Sequence, residues 1–107
     1  MKFVGLLLAL FLLSSQTSEL VTGTTFVCAM REAADVIADT QNSLAFQSQA
    51  ERMKSLGVCD YGTITGINAG EYRRFLTGTT LMSWTRIKVG TTEVYALKIL
   101  AEHVYNA

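Results

Sequence analysis

The sequence is short of the side chains that most enzymes use for catalysis or metal binding. Its 107 residues include a single histidine, His103, and two cysteines, Cys28 and Cys59. A catalytic nucleophile needs a base within hydrogen-bond reach and a third group that orients the base. A zinc site needs several Cys or His ligands at close spacing. Neither pattern is present, nor is a phosphate-binding glycine loop, so the sequence predicts no catalytic residue, no metal and no cofactor.

The chain also lacks a net charge. Nine basic and nine acidic residues give a formal charge of zero, so no overall field favours nucleic acid as a partner. The charges are unevenly spread, because residues 24–51 carry one basic and four acidic side chains, whereas residues 52–107 carry seven basic and four acidic ones. We expect one domain with an acidic front half and a basic back half.

Disorder is not expected, since 50% of the residues are hydrophobic and only 17% are charged. The length suits one domain and no more. The sequence contains no internal repeat and no low-complexity linker.

The N-terminus has the pattern of an export signal. Lys2 precedes an apolar run, Phe3–Leu13, and a polar stretch, residues 14–18, follows. This run is shorter than the roughly 20 apolar residues that span a bilayer. We assign residues 1–23 to a signal peptide cleaved before Thr24, with cleavage before Ser18 and an uncleaved membrane anchor as alternatives. The predicted location is secreted or periplasmic.

The two cysteines predict one disulfide. In an exported domain with only Cys28 and Cys59, no other intramolecular bridge is possible. The closed loop would hold about 30 residues, for which the chain-entropy model gives about 3.5 to 4 kcal/mol of stabilisation. The alternative is a catalytic thiol with His103 as its base, but export favours oxidation.

Two segments after the signal have helical patterns. Met30, Ala33, Ala34 and Ile37 recur at helical spacing and predict a helix from Val27 to about Thr40. A break at residues 41–43 precedes a second predicted helix, residues 44–56, which Asn42 or Ser43 can cap and Gly57 ends. A single kinked helix is the alternative.

The rest of the chain has strand composition. We predict a strand at Val58–Ile67, a turn at residues 68–70, a short segment at residues 71–76 and a β-hairpin of Leu81–Val89 with Val94–Leu100. The predicted fold class is α+β. An N-terminal helical segment of one or two helices packs on a small antiparallel sheet of three to four strands, and residues 24–107 form a single domain held by the disulfide.

Alternation along the hairpin suggests one candidate surface. One face would point to the core with Ile87, Val89, Tyr95, Leu97 and Ile99, and the other would present Trp84, Arg86, Lys88 and Lys98. A tryptophan among cations is typical of a site for a partner's acidic patch. The structural alternative, which is the more common arrangement, places Trp84 under the helices while the charged side chains reach solvent.

These observations predict an exported binding or inhibitory module that acts on a protein partner and is not an enzyme. Two alternatives stay open. One is a small thiol or hydrolase-like enzyme, and the other is a membrane-tethered accessory protein that retains its N-terminal segment, the only case in which a membrane would be a partner.

Overall fold

A computed structural model describes residues 19–104, so most of the predicted signal peptide lies outside the described residues. The described chain forms two helices and four antiparallel strands, and Cys28 is bonded to Cys59. In chain order the elements are β1 (Leu20–Cys28), α1 (Arg31–Ala38), α2 (Ser43–Ser55), β2 (Cys59–Thr77), β3 (Thr80–Val89) and β4 (Thr92–Ala101).

The described chain starts with a strand, which the sequence patterns did not predict. β1 pairs with the first half of β2 without a break, from Leu20 opposite Ile67 to Cys28 opposite Cys59. The prediction that a helix begins at Val27 is therefore wrong, because α1 begins at Arg31. Threonine and valine dominate β1, and β-branched side chains fit a pleated surface better than a helix.

The two helices are separate, as predicted, and do not form the single kinked helix that was the alternative. Asn42 caps α2, with its side-chain Oδ1 accepting a hydrogen bond from the backbone N–H of Ala45 at 2.8 Å. Gly57 follows α2 with φ +79°, a left-handed conformation that glycine adopts without strain.

β2 is one long strand where a strand, a turn and a short segment were expected. The predicted turn at residues 68–70 is instead a register shift between Asn68 and Gly70, and a second shift follows between Glu71 and Arg73. Such β-bulges bend a strand and increase its twist. Because of this bend, the first half of β2 pairs with β1 and the second half pairs with β3.

The predicted hairpin is confirmed, but its faces are not. β3 and β4 join through a two-residue turn, Gly90–Thr91, which sets Val89 opposite Thr92. This register pairs odd-numbered residues of β3 with even-numbered residues of β4, so Ile87 and Tyr95 lie on opposite faces. Val89 and Ile99, both expected in the core, are exposed.

One face of the second half of β2, β3 and β4 is covered by the helices, and we call it the helix face. Trp84 lies at its centre, fully buried, with its ring stacked on Phe75 at a centroid distance of 6.1 Å. The core around it contains Phe26, Ala33, Ala34, Ile37, Ala38, Met53, Met82 and Tyr95. The prediction of an outward-facing Trp84 is therefore wrong, and the structural alternative is the one observed.

The opposite face of the same strands points away from this core, and we call it the inner face. Direct register partners share a face, so Ser83 and Lys98 lie together, as do Thr85, Ala96 and Glu71. Ile87 and Ala96 are buried here although neither belongs to the core under the helices.

Candidate functional site

The sheet closes on itself at one end only. β1 and β4 pair through Val27 with Ala96 and Cys28 with Tyr95. Among residues 19–104 no further β1–β4 pair is present, although β1 continues to Leu20 and β4 to Ala101. The two strands therefore separate towards one end of the molecule.

A cleft of about 420 Å³ opens where the strands separate. This volume falls in the range of small-ligand sites, about 300 to 1,000 Å³. The cleft is lined mostly by apolar and hydroxyl-bearing residues from all four strands, namely Val21, Thr22, Gly23, Thr24, Thr25, Ile64, Asn68, Thr85, Ile87, Ala96, Leu97 and Lys98.

Glycine allows the wall formed by β1 and β2 to lie close to β3. A Cβ at Gly66 would overlap the backbone oxygen of Lys88 and approach the Ile87 side chain within 2.7 Å. A Cβ at Gly23, by contrast, would meet nothing within 4 Å. The absence of a side chain at Gly66 therefore allows β2 to lie close to β3, and its absence at Gly23 leaves open space in the cleft.

Strand edges border the cleft on both sides. Residues 20–25 of β1 pair with β2 on one side only, and residues 97–101 of β4 pair only with β3. Thr25 Oγ1 donates a hydrogen bond to the carbonyl oxygen of Leu97 at 2.7 Å, which bridges the two edges where they begin to separate. Beyond this point both edges present backbone groups that no strand of the described chain pairs.

Two pairs of threonine hydroxyls join β1 to β2. Thr22 and Thr65 are joined through their Oγ1 atoms at 2.9 Å, and Thr24 and Thr63 are joined in the same way at 2.5 Å. Cross-strand threonine pairs of this kind stabilise neighbouring strands by a fraction of a kcal/mol. The wall is therefore ordered without being covered by the helices.

A charged group lies next to the cleft on the inner face. Glu71 Oε2 accepts a hydrogen bond from Ser83 Oγ at 2.6 Å and another from Arg74 Nε at 3.2 Å. The Ser83 hydrogen bond, together with Arg74 and the positive charge of Lys98, lowers the pKa of Glu71 from its ordinary value. Glu71 is therefore ionised under neutral conditions.

The four residues of the predicted partner-binding surface do not form one surface. Trp84 Nε1 donates a hydrogen bond to the carbonyl oxygen of Ala34 at 3.0 Å, under α1. Arg86 lies on the helix face, half-buried, and donates to the carbonyl oxygen of Ala69 at 2.6 Å. Lys88 and Lys98 are exposed, but Lys98 pairs with Ser83 and therefore lies on the inner face. Only Lys98 lines the cleft.

Other candidate chemistry is distributed as follows. Cys28 and Cys59 form the disulfide, and neither is a free thiol. Residues 19–104 contain no cluster of three or more His, Cys, Asp or Glu side chains that could hold a metal ion. In the same part of the chain, no helix is long and apolar enough to cross a membrane.

Sequence patterns missed the cleft because β1, which supplies five of its twelve lining residues, was not predicted as a strand. Residues 21–23 were assigned to the signal peptide, and no strand was predicted before the helix expected at Val27. The signal that was available is the alternation of threonine with other residues in Thr22–Thr24 and Thr63–Thr65, which fits two exposed strands. Pairing these two segments required the register that the disulfide provides.

In comparisons with known proteins, the chain shows no significant match to a family model, to a curated protein or to a solved structure.

Proposed function

We propose that this protein is an exported, non-enzymatic binding module that holds an extended segment of a partner protein in the cleft between β1 and β4. One observation carries the proposal: two antiparallel strands that are paired at one end separate into two unpaired edges at the other. Extended peptides bind such edges through main-chain hydrogen bonds, and pockets for alternate side chains add specificity.

Strand geometry restricts how a segment can enter. β1 and β4 are antiparallel, so a strand between them is parallel to one and antiparallel to the other. Alternate side chains of the segment point to the inner face, where Ile64, Ile87 and Ala96 offer apolar contacts. Threonine hydroxyls at the edges supply further hydrogen bonds.

The two alternatives from the sequence have less support. A thiol enzyme would need a thiolate, and both cysteines are bonded to each other. A membrane-tethered form differs only in whether the N-terminal segment is retained. The disulfide is compatible with an oxidising compartment, and the apolar run Phe3–Leu13 supports export.

The start of β1 favours one of the two cleavage sites. Cleavage before Thr24 would cut β1 and remove Leu20–Gly23, including one wall of the cleft. Cleavage before Ser18 would leave β1 whole. We therefore expect the exported protein to begin at Ser18, and its intact mass distinguishes Ser18, Thr24 and Met1 as first residues.

A cleft-filling variant tests the proposal. Gly23→Val adds a side chain that meets nothing within 4 Å of its Cβ, and valine is favoured in strands, so the fold is expected to keep its stability. Gly62→Val is the matched control, because Gly62 also has open space around its Cβ and lies outside the lining of this cleft. The probe is a displayed library of random heptapeptides, selected on the disulfide-bonded protein.

We expect selected peptides to shift the amide NMR signals of residues 20–25 and 97–101, and to lose binding to Gly23→Val while keeping it to Gly62→Val. Methylation of alternate backbone nitrogens in a selected peptide should weaken binding, because it removes strand hydrogen bonds. The proposal is wrong if the peptides bind Gly23→Val as tightly as the unsubstituted protein, or if no peptide is selected.

A further inference from the structure

We propose that the segment bound in the cleft carries an acidic side chain, and that Lys98 binds the acid. This inference rests on the proposed function and specifies the ligand of the same cleft.

Lys98 is the single charged side chain among the residues that line the cleft. The lining contributes no acid, and β1 carries no charged residue from Leu20 to Cys28. An anionic group of the ligand would therefore meet an attractive charge in the cleft and no repulsive one.

Lys98 also has no ion-pair partner within residues 19–104. The described ion pairs join Arg73 to Asp35, Arg73 to Asp39, and Arg74 to Glu71. Glu71 is the acid that acts on this part of the inner face, but its Oε2 already accepts from Ser83 and Arg74. Arg74 and Lys98 together outnumber this single carboxylate, so the site keeps a positive balance.

The position of the acid follows from where the free edge of β4 begins. Ala96 and Lys98 lie two residues apart on β4, and both line the cleft. Ala96 is paired with Val27 of β1, so the free edge of β4 begins at Leu97, and a segment paired with it places a side chain beside Lys98 on the inner face. Ala96, Ile87 and Ile64 form an apolar surface next to this position, whereas the side chain beside Lys98 meets an ammonium group.

The test uses two heptapeptides selected on the protein, each made in an aspartate form and in an asparagine form at the position nearest Lys98. Binding to the unsubstituted protein, Lys98→Met and Lys98→Glu is measured by isothermal titration at low and high salt. Lys88→Met is the matched control, because Lys88 is an exposed lysine on the neighbouring strand and does not line the cleft.

We expect the aspartate form to bind the unsubstituted protein about 5-fold more tightly than the asparagine form, the size of an exposed ion pair. This preference should disappear in Lys98→Met, persist in Lys88→Met and decline with salt. A lysine in place of the aspartate should restore binding to Lys98→Glu.

Two failures are distinguishable. If both peptide forms bind in the cleft with equal affinity, or if Lys88→Met removes the preference as Lys98→Met does, the assignment of Lys98 is wrong and the proposed function stands. If neither form perturbs residues 20–25 and 97–101, the proposed function itself fails.

Discussion

The two ends of the seam between β1 and β4 differ in almost every respect. At the closed end, Val27 and Cys28 pair with β4, the disulfide joins β1 to β2, and the helices cover Phe26 and Cys28. At the open end, residues 20–25 face residues 97–101 across the cleft without strand pairing. The same two strands are therefore paired with each other at one end and unpaired at the other.

Composition explains the difference. The closed end is built from aromatic residues and cysteine, which bury large apolar areas. The open end is built from threonine and glycine, which bury little and leave backbone groups accessible. We therefore expect the closed end to contribute most of the stability of the fold, whereas the open end leaves backbone groups accessible.

Replacing the central core residue should have the largest effect on stability. Trp84 is fully buried and bonded to the Ala34 carbonyl, so Trp84→Ala is expected to lower the free energy of unfolding by about 3 to 5 kcal/mol. Leu20→Ala at the open end, where the side chain is 66% exposed, should cost less than about 0.5 kcal/mol. Urea unfolding of both variants checks the contrast, and equal losses would contradict it.

Opening the disulfide should have the next largest effect. Residues 28 and 59 are 31 positions apart, and removal of a bridge of this loop length is expected to cost about 2 to 4 kcal/mol. The measurement is thermal unfolding of the oxidised protein against the Cys28→Ser, Cys59→Ser double variant. An unchanged melting temperature would show that the core alone holds the closed end.

Alkaline pH should weaken the closed end. Burial raises the pKa of Tyr95 and of Tyr72, and Asp35, which accepts the Tyr72 hydroxyl, raises the pKa of Tyr72 further. The folded state thus favours the neutral phenols, so this stability is complete below the ordinary pKa of 10.0 and is lost as pH rises through the raised values.

The check on this titration is the pH dependence of unfolding from pH 8 to about 12. Tyr95→Phe removes one titrating phenol and should flatten the alkaline decline, and Tyr72→Phe should do the same. An identical decline in all three proteins would assign it to other groups.

The smallest effect is expected at the threonine pairs. Thr65→Val removes the hydroxyl that pairs with Thr22 and keeps a β-branched shape, so we expect a change within about 0.5 kcal/mol. Hydrogen exchange gives the sharper comparison, since amides of residues 20–24 that point into the cleft should exchange much faster than those near Cys28. Equal protection along β1 would mean that the open end is closed in solution.

Several parts of the fold could be predicted from local patterns. The hairpin of β3 and β4, the α2 cap at Asn42 and the disulfide depend on neighbouring residues or on the cysteine count. The faces of the hairpin were the limit. The two-residue turn pairs odd-numbered residues of β3 with even-numbered residues of β4, whereas the predicted core face, with Ile87 and Tyr95 together, requires a turn with an odd number of residues.

The cleft could not be predicted, because it depends on long-range pairing. Thr22 meets Thr65 and Thr25 meets Leu97, across separations of 43 and 72 residues. Nor does the sequence mark β2 as one bent strand, since Asn68 and Gly70 are typical of a turn and here lie at a bulge. Alternation alone allows Trp84 to lie on either face of β3. It lies on the helix face, where its indole donates a hydrogen bond to the carbonyl oxygen of Ala34 in α1.

The place of the disulfide in the β1–β2 register has a consequence for how the chain folds. Cys28 and Cys59 are directly opposite each other, so once they are joined the two strands behave as a hairpin whose connection is the entire α1–α2 pair. Val27 lies opposite Asp60 and Phe26 opposite Tyr61, so each successive pair is adjacent to one nearer the bond. A slip by one residue would turn every side chain to the wrong face, and the bond forbids it. We therefore expect the oxidised chain to form these pairs faster than the reduced chain, because each new pair is local to an existing one, with the pairs at the mouth of the cleft forming last.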